Sequence, residues 1–146
     1  MASTGYVSRA VRALADDGHH VLYMQGSMGL APAIGLGIAL NTERPVVVVN
    51  GDASLLMALG STHTLRDHGP PNLFHYVLDN GCHESVGAQP TAPLEQSYPG
   101  VTEILKVELG GKPPRVDIAP DENARRVREL LAGEPRAGTP GVRAGA

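Results

Sequence analysis

The stretch Pro45-Val46-Val47-Val48-Val49-Asn50-Gly51-Asp52-Ala53-Ser54 decides the fold. Four consecutive β-branched residues crowd a helix but suit a pleated strand. No polar residue alternates among them, so the strand reads as buried on both faces, as in a parallel sheet. The polar run that follows marks the strand's carboxyl end. A helix is then expected over Ser54 to His68, stopped by Gly69-Pro70-Pro71.

Upstream, Leu30 to Leu40 is apolar on every side and reads as a buried helix. Gly35 and Gly37 within it cost helix propensity, which points to close packing at both. A turn at Gly26-Ser27-Met28-Gly29 precedes it, and His20 to Met24 reads as another strand. Near the start, Thr4 can cap a helix whose Val7, Ala10, Val11 and Leu14 share one face and which Gly18 ends. Downstream, Leu73 to Leu78 is the third strand. The order strand, helix, strand, helix, strand implies right-handed crossovers and an α/β fold, a parallel sheet with helices on both faces. Beyond residue 90 the pattern predicts a helix over Val101 to Leu109, a strand over Val116 to Ala119 and an amphipathic helix over Glu122 to Leu131. Residues 1–132 are read as one domain. Residues 133–146 are a tail or, through Thr139 to Arg143, a last strand.

At 42% hydrophobic and 18% charged, the 146 residues have the composition of a folding domain. Aromatics are only 3%, so the core must be aliphatic. The 12 basic residues are scattered and the net charge is -3, which argues against a nucleic-acid surface. No apolar run approaches the roughly 20 residues that span a bilayer, and no secretion signal opens the chain. Cys82 is the single cysteine, so an internal disulfide is excluded, and a cytoplasmic location is expected.

In open parallel sheets ligands bind beyond the carboxyl ends of the strands. Here those ends lead into Gln25 to Gly29, Asn50 to Ser54 and Asp79 to Glu84. Asp52 stands at a helix start, where free N–H groups attract an anion. A bare carboxylate beside a phosphate repels it, and a cation between the two resolves the conflict. Mg²⁺ suits such a place, because it takes oxygen ligands, few of them carboxylates, and is completed by phosphate and water. Asn80 offers a neutral amide oxygen to the same ion. Taken alone, a Gly-Asp pair after a strand is most often an Asx turn or a cap. Three such turns in this order point to a metal-bridged phosphate site.

Gly51-Asp52-Ala53-Ser54, followed after a spacer by Asn80, resembles the signature of thiamine-diphosphate (ThDP) enzymes, with Ala53 in place of a glycine and Asp79 in place of the first of two asparagines. Ser3-Thr4-Gly5-Tyr6, Tyr23 to Gly29 and Leu78 to Gln89 extend the likeness. They are similar to the diphosphate-binding, C-terminal domain of phosphonopyruvate decarboxylases and to the small subunit of sulfopyruvate decarboxylases. The likeness covers about residues 3 to 91.

The resemblance implies roles by position. Asp52 and Asn80 would bind Mg²⁺ by side chain and Cys82 by its backbone carbonyl. Ala53 N–H and Ser54, with Gly51 and Ser27 beside them, would hold the diphosphate. The Gly26 carbonyl would accept from the aminopyrimidine, and Met28 would wedge between the two rings. His83, Glu84 and Gln89 would face the substrate, with His83 or Glu84 shuttling a proton. Each has a plainer reading: Met28 as core, Ser54 as a helix cap, the 83–89 loop as solvated surface. Cys82 is not expected to act as a thiol nucleophile, for nothing nearby lowers its pKa. His19, His20, His63 and His68 lack metal-ligand spacing and read as surface, and His75 as structural.

The implied activity is decarboxylation of a phosphonopyruvate- or sulfopyruvate-like 2-oxo acid to carbon dioxide and an aldehyde, with ThDP and Mg²⁺ as cofactors. The glutamate that activates the pyrimidine lies on another domain in this class. The chain is therefore expected to act only with a separate pyrimidine-binding subunit, in a heterotetramer or larger. Two alternatives stand: a ThDP-dependent carboligase subunit, and a non-catalytic binding or regulatory module of the same fold.

Overall fold

The computed structural model describes residues 1–16, 20–108 and 110–132. Gly18, the expected strand over Thr139 to Arg143 and the segment 133–146 lie outside those residues. The elements run α1 (Tyr6–Leu14), α2 (Ala31–Ala39), β1 (Val46–Gly51), α3 (Asp52–Met57), α4 (Ser61–His68), β2 (Leu73–Asp79), β3 (Cys82–His83), β4 (Gln89–Pro90), β5 (Glu103–Lys106) and α5 (Pro120–Ala132). A 3₁₀ turn, Glu84–Val86, joins β3 to β4.

The valine run forms β1, which pairs in parallel with β2 from Val46↔Leu73 to Gly51↔Leu78. Strand β5 adds in parallel on the far side of β2, from Tyr76↔Glu103 to Asp79↔Lys106. On the other side of β1 the chain start intervenes. Ser3 N–H donates to the Val49 carbonyl and Val49 N–H to that of Met1, both at 2.9 Å. Ala2 in turn bridges Tyr23 in parallel. The expected strand over His20 to Met24 is thus reduced to an extended edge with one bridge, and residues 1–3 fill the row between it and β1.

Alternation along β1 sends Val48 and Asn50 to one face and Gly51 to the other. Helix α2 packs on the first face, and α1 on the second. A Cβ built on Gly35 of α2 would lie 2.3 Å from Val48 Cγ2, so only a glycine lets helix and strand meet this closely. Gly37 has nothing within 4 Å, so the expectation of close packing fails there. It faces solvent because it lies two residues, about 200°, around the helix from Gly35. For the same reason α2 is not buried all round: Ile34 keeps 40% exposure. Strand β1 is likewise open on its second face at Val47. The core is aliphatic, as composition requires, with Val48, Val77 and Leu55 almost wholly buried. Each contributes about 1.5–3 kcal/mol by leaving water.

Four further expectations are corrected. The capping residue of α1 is Gly5, not Thr4, and no side chain caps it; on the face that Val7 and Val11 pack against the core, Leu14 at the helix end is 86% exposed. The single helix over Ser54 to His68 is two, broken at 58–60, and the first begins at Asp52. The break falls where a Cβ on Gly29 would lie 2.9 Å from Ala58 Cβ, so the turn entering α2 occupies the space of a continued helix. Val101 to Leu109 contains the strand β5 rather than a helix, because the open edge of β2 offers ladder partners. Val116 to Ala119 makes no strand; Val116 and Ile118 pack on Ala2 and Tyr23 instead. The amphipathic helix near the end is present as α5, with Asn123 Nδ2 donating to the Tyr23 carbonyl at 3.1 Å.

Candidate functional site

Because β1 and β2 end in register, the segments leaving them lie side by side. Helix α3 starts at Asp52 with no spacer, so Asp52, Ala53 and Ser54 form a buried first turn. Strand β2 continues into Asn80 and a left-handed Gly81, after which the short β3–β4 hairpin folds back. A cavity of about 450 Å³ opens beyond these ends. Asp52, Ala53, Ser54, Asn80, Cys82 and Met28 line it, together with Gly51, His83 and Glu84.

Asp52 is 3% exposed, and its Oδ2 accepts a hydrogen bond from Thr91 Oγ1 at 2.7 Å. Asn80 Oδ1 accepts from the Cys82 N–H at 3.2 Å, and Asn80 Nδ2 donates to Glu84 Oε2 at 2.9 Å. These two bonds set the Asn80 amide and hold one oxygen of Glu84. Asp79 stays outside the lining, buried on the α2 face; it accepts from Gly81 N–H at 3.0 Å and pairs with Lys106. Ser54 does not cap α3, whose capping residue is Gly51. Its Oγ accepts instead from Ser3 Oγ at 3.2 Å, tying the chain start to the site.

The lining carries the carboxylates of Asp52, Glu84 and Glu108 and, among the described residues, no lysine or arginine. Burial, then the charges of Glu84 and Asp52, push the Cys82 thiol upward, so a thiolate is disfavoured there. No cluster of three or more His, Cys, Asp or Glu side chains with metal-site geometry occurs among the described residues. One carboxylate beside one amide and backbone carbonyls is a set of hard oxygen donors, the kind that takes a small divalent cation completed by its ligand's phosphate.

The structure therefore gathers Asp52, Asn80, Cys82, Gly51, Ala53, Ser54, Met28, His83 and Glu84 around one opening, which protein does not fill. It does not bring Gly26, Ser27 or Gln89 to that wall. Gly26 and Ser27 form an exposed turn, left-handed at both residues, that swings outward before Met28 turns in. Gln89 lies exposed on β4. His75 is buried, while His20, His63 and His68 are exposed.

Sequence reasoning missed Thr91 and the run of Val107, Glu108, Gly110, Gly111 and Pro113 that completes the wall. That run follows the carboxyl end of β5. The rule that located the other loops would have found it, had Val101 to Leu109 been read as a strand.

The family model described as thiamine pyrophosphate enzyme, C-terminal TPP binding domain, matches residues 2–120. A phosphonopyruvate decarboxylase of Streptomyces viridochromogenes is 50% identical over 101 residues, 69% of this chain and 25% of that protein. A sulfopyruvate decarboxylase subunit beta of Methanothermobacter thermautotrophicus is 45% identical over 91 residues, 62% of this chain and 49% of the subunit. The corresponding subunit of Methanococcus maripaludis is 38% identical over 112 residues, 77% of this chain and 57% of the subunit. The chain thus spans a quarter of the first relative and about half of each of the others.

Proposed function

The chain belongs to the thiamine pyrophosphate (ThDP) enzyme family, as its C-terminal TPP-binding domain, and on that premise we propose that it is the diphosphate- and Mg²⁺-binding part of a 2-oxo acid decarboxylase. The substrate class is a phosphonopyruvate- or sulfopyruvate-like acid. The supporting observation is the cavity whose wall carries the buried Asp52 and the half-buried Asn80 with two further carboxylates and, among the described residues, no cationic side chain. A diphosphate is repelled by such a wall unless a divalent ion intervenes, and the oxygen donors present suit Mg²⁺.

In this reading Asp52 and Asn80 hold the ion by side chain and Cys82 by its carbonyl. Ala53 N–H and Ser54 receive the diphosphate. Met28, on the cavity wall, would contact the cofactor, and the Gly26 carbonyl, off that wall, would accept from its aminopyrimidine. Bound ThDP supplies the electron sink that lets a 2-oxo acid lose carbon dioxide. Glu84, with Oε2 tied to Asn80, keeps Oε1 to carry a proton, and His83 beside it is the second proton carrier. The pyrimidine end requires a different, pyrimidine-binding domain, which we assign to a partner subunit in a heterotetramer or larger.

The test is reconstitution with that subunit, ThDP and Mg²⁺, followed by carbon dioxide release from 3-phosphonopyruvate and 3-sulfopyruvate. Release from at least one is expected. Absence of release from these and from other 2-oxo acids refutes the activity. Product analysis with an added aldehyde acceptor separates decarboxylation from carboligation.

A further inference from the structure

The Thr91 hydroxyl, on a half-buried residue, spends its single proton on Oδ2 of the buried Asp52, at 2.7 Å. Its own position is fixed by backbone. Thr91 N–H donates to the Gly81 carbonyl at 3.0 Å, and the preceding Pro90 pairs with Cys82 across the β3–β4 hairpin. As a β-branched residue, Thr91 has few side-chain rotamers to lose. One hydrogen bond thereby joins the turn that carries Asp52 to the turn that carries Asn80 and Cys82. These are the two segments whose separation sets the size of any ion they share.

We propose that Thr91 is a positioning residue: it occupies one oxygen of Asp52, leaves Oδ1 as the single oxygen offered to a cation, and sets the distance between the two metal-facing turns. This rests on the reading of Asp52 and Asn80 as the Mg²⁺ site. A carboxylate free to rotate would present either oxygen, or both, at a distance that depends on its rotamer. A donor clamped by a hairpin removes that freedom before the ion arrives. The plainer role for Thr91 is a latch that only closes the hairpin. That role predicts lost stability with unchanged affinity of the remaining folded protein.

The two roles separate in a calorimetric titration of Mg²⁺ into the full chain in its assembly at saturating ThDP, alongside thermal unfolding without metal. Thr91→Val removes the donor at nearly constant volume. Thr91→Ala removes it without any risk of misfit, and Thr91→Ser restores it. Loss of a group that orients a metal ligand weakens the metal by about 10–100-fold. Both donor-less variants are expected in that range, with Thr91→Ser within about threefold of the parent. The inference is overturned if either folded donor-less variant keeps parental affinity, or if Thr91→Ser is as weak as Thr91→Val. If the unsubstituted assembly binds no Mg²⁺ with ThDP, the site assignment itself fails and the inference falls with it. Parental binding with indifferent variants removes Thr91 alone.

Discussion

Two glycines in one helix give the sharpest test of the packing. Gly35 and Gly37 both lie inside α2, so replacing either with alanine gains the same helix propensity, about 1 kcal/mol. They differ in what the new methyl group meets. At Gly37 nothing lies within 4 Å. At Gly35 the methyl would stand 2.3 Å from Val48 Cγ2, against the 3.5–4.0 Å of ordinary carbon contact. Val48 is wholly buried and stiff at χ1, so it cannot swing away, and helix and strand must part. Such overpacking costs about 1–3 kcal/mol. Because the propensity gain is common to both, it cancels in the comparison. Gly37→Ala should therefore exceed Gly35→Ala by about 1–3 kcal/mol, with Gly37→Ala itself more stable than the parent. Urea unfolding followed by far-ultraviolet circular dichroism measures this as a difference of about 1 M in midpoint at equal slope. Equal midpoints, or a Gly35→Ala chain that outlasts Gly37→Ala, would refute the close approach of α2 to β1.

Acid should weaken the fold through His75. Burial holds its imidazole down at about 4, against an ordinary 6.5, and the nearby Gly100 backbone offsets only part of that. The folded state then binds fewer protons than the unfolded chain between those values. The stabilisation is complete above pH 6.5 and is lost as pH falls toward 4, by roughly 3 kcal/mol in all. A His75→Leu chain with the same pH profile of unfolding as the parent would remove His75 as the cause. At the site, ThDP with Mg²⁺ at about 100 times their dissociation constant should stabilise the assembly by about 2.7 kcal/mol, and Asp52→Ala should abolish that gain. A rise in melting temperature of equal size in both would cost Asp52 its metal role.

Much of the site was legible in the sequence because its chemistry sits at strand ends. Val46 to Val49 reads as a strand from residue type alone, though one face proves open at Val47, and the polar residues that follow must then stand at its carboxyl end. Asp52, Asn80 and Cys82 reach one cavity because β1 and β2 pair in register, and two neighbouring apolar runs already imply such pairing. Thr91 was not legible. It stands beyond a hairpin whose strands are two residues each, too short to leave a periodic pattern. Gly26 and Ser27 lie off this chain's cavity wall, on an exposed left-handed turn whose direction the sequence likeness did not carry.

Local sequence by itself determined which segments could be strands or helices and which residue types would gather at the sheet's ends, since strand preference and turn chemistry act over a few neighbouring residues. Tertiary structure alone decided the rest. It inserted residues 1–3 beside β1, made a strand of Glu103–Lys106 and split the helix at Ala58. It also put the Thr91 hydroxyl on Asp52. Each of these depends on a partner far along the chain, a free ladder edge, a packed turn or a buried carboxylate. No local pattern can carry the position of a partner that only folding brings near.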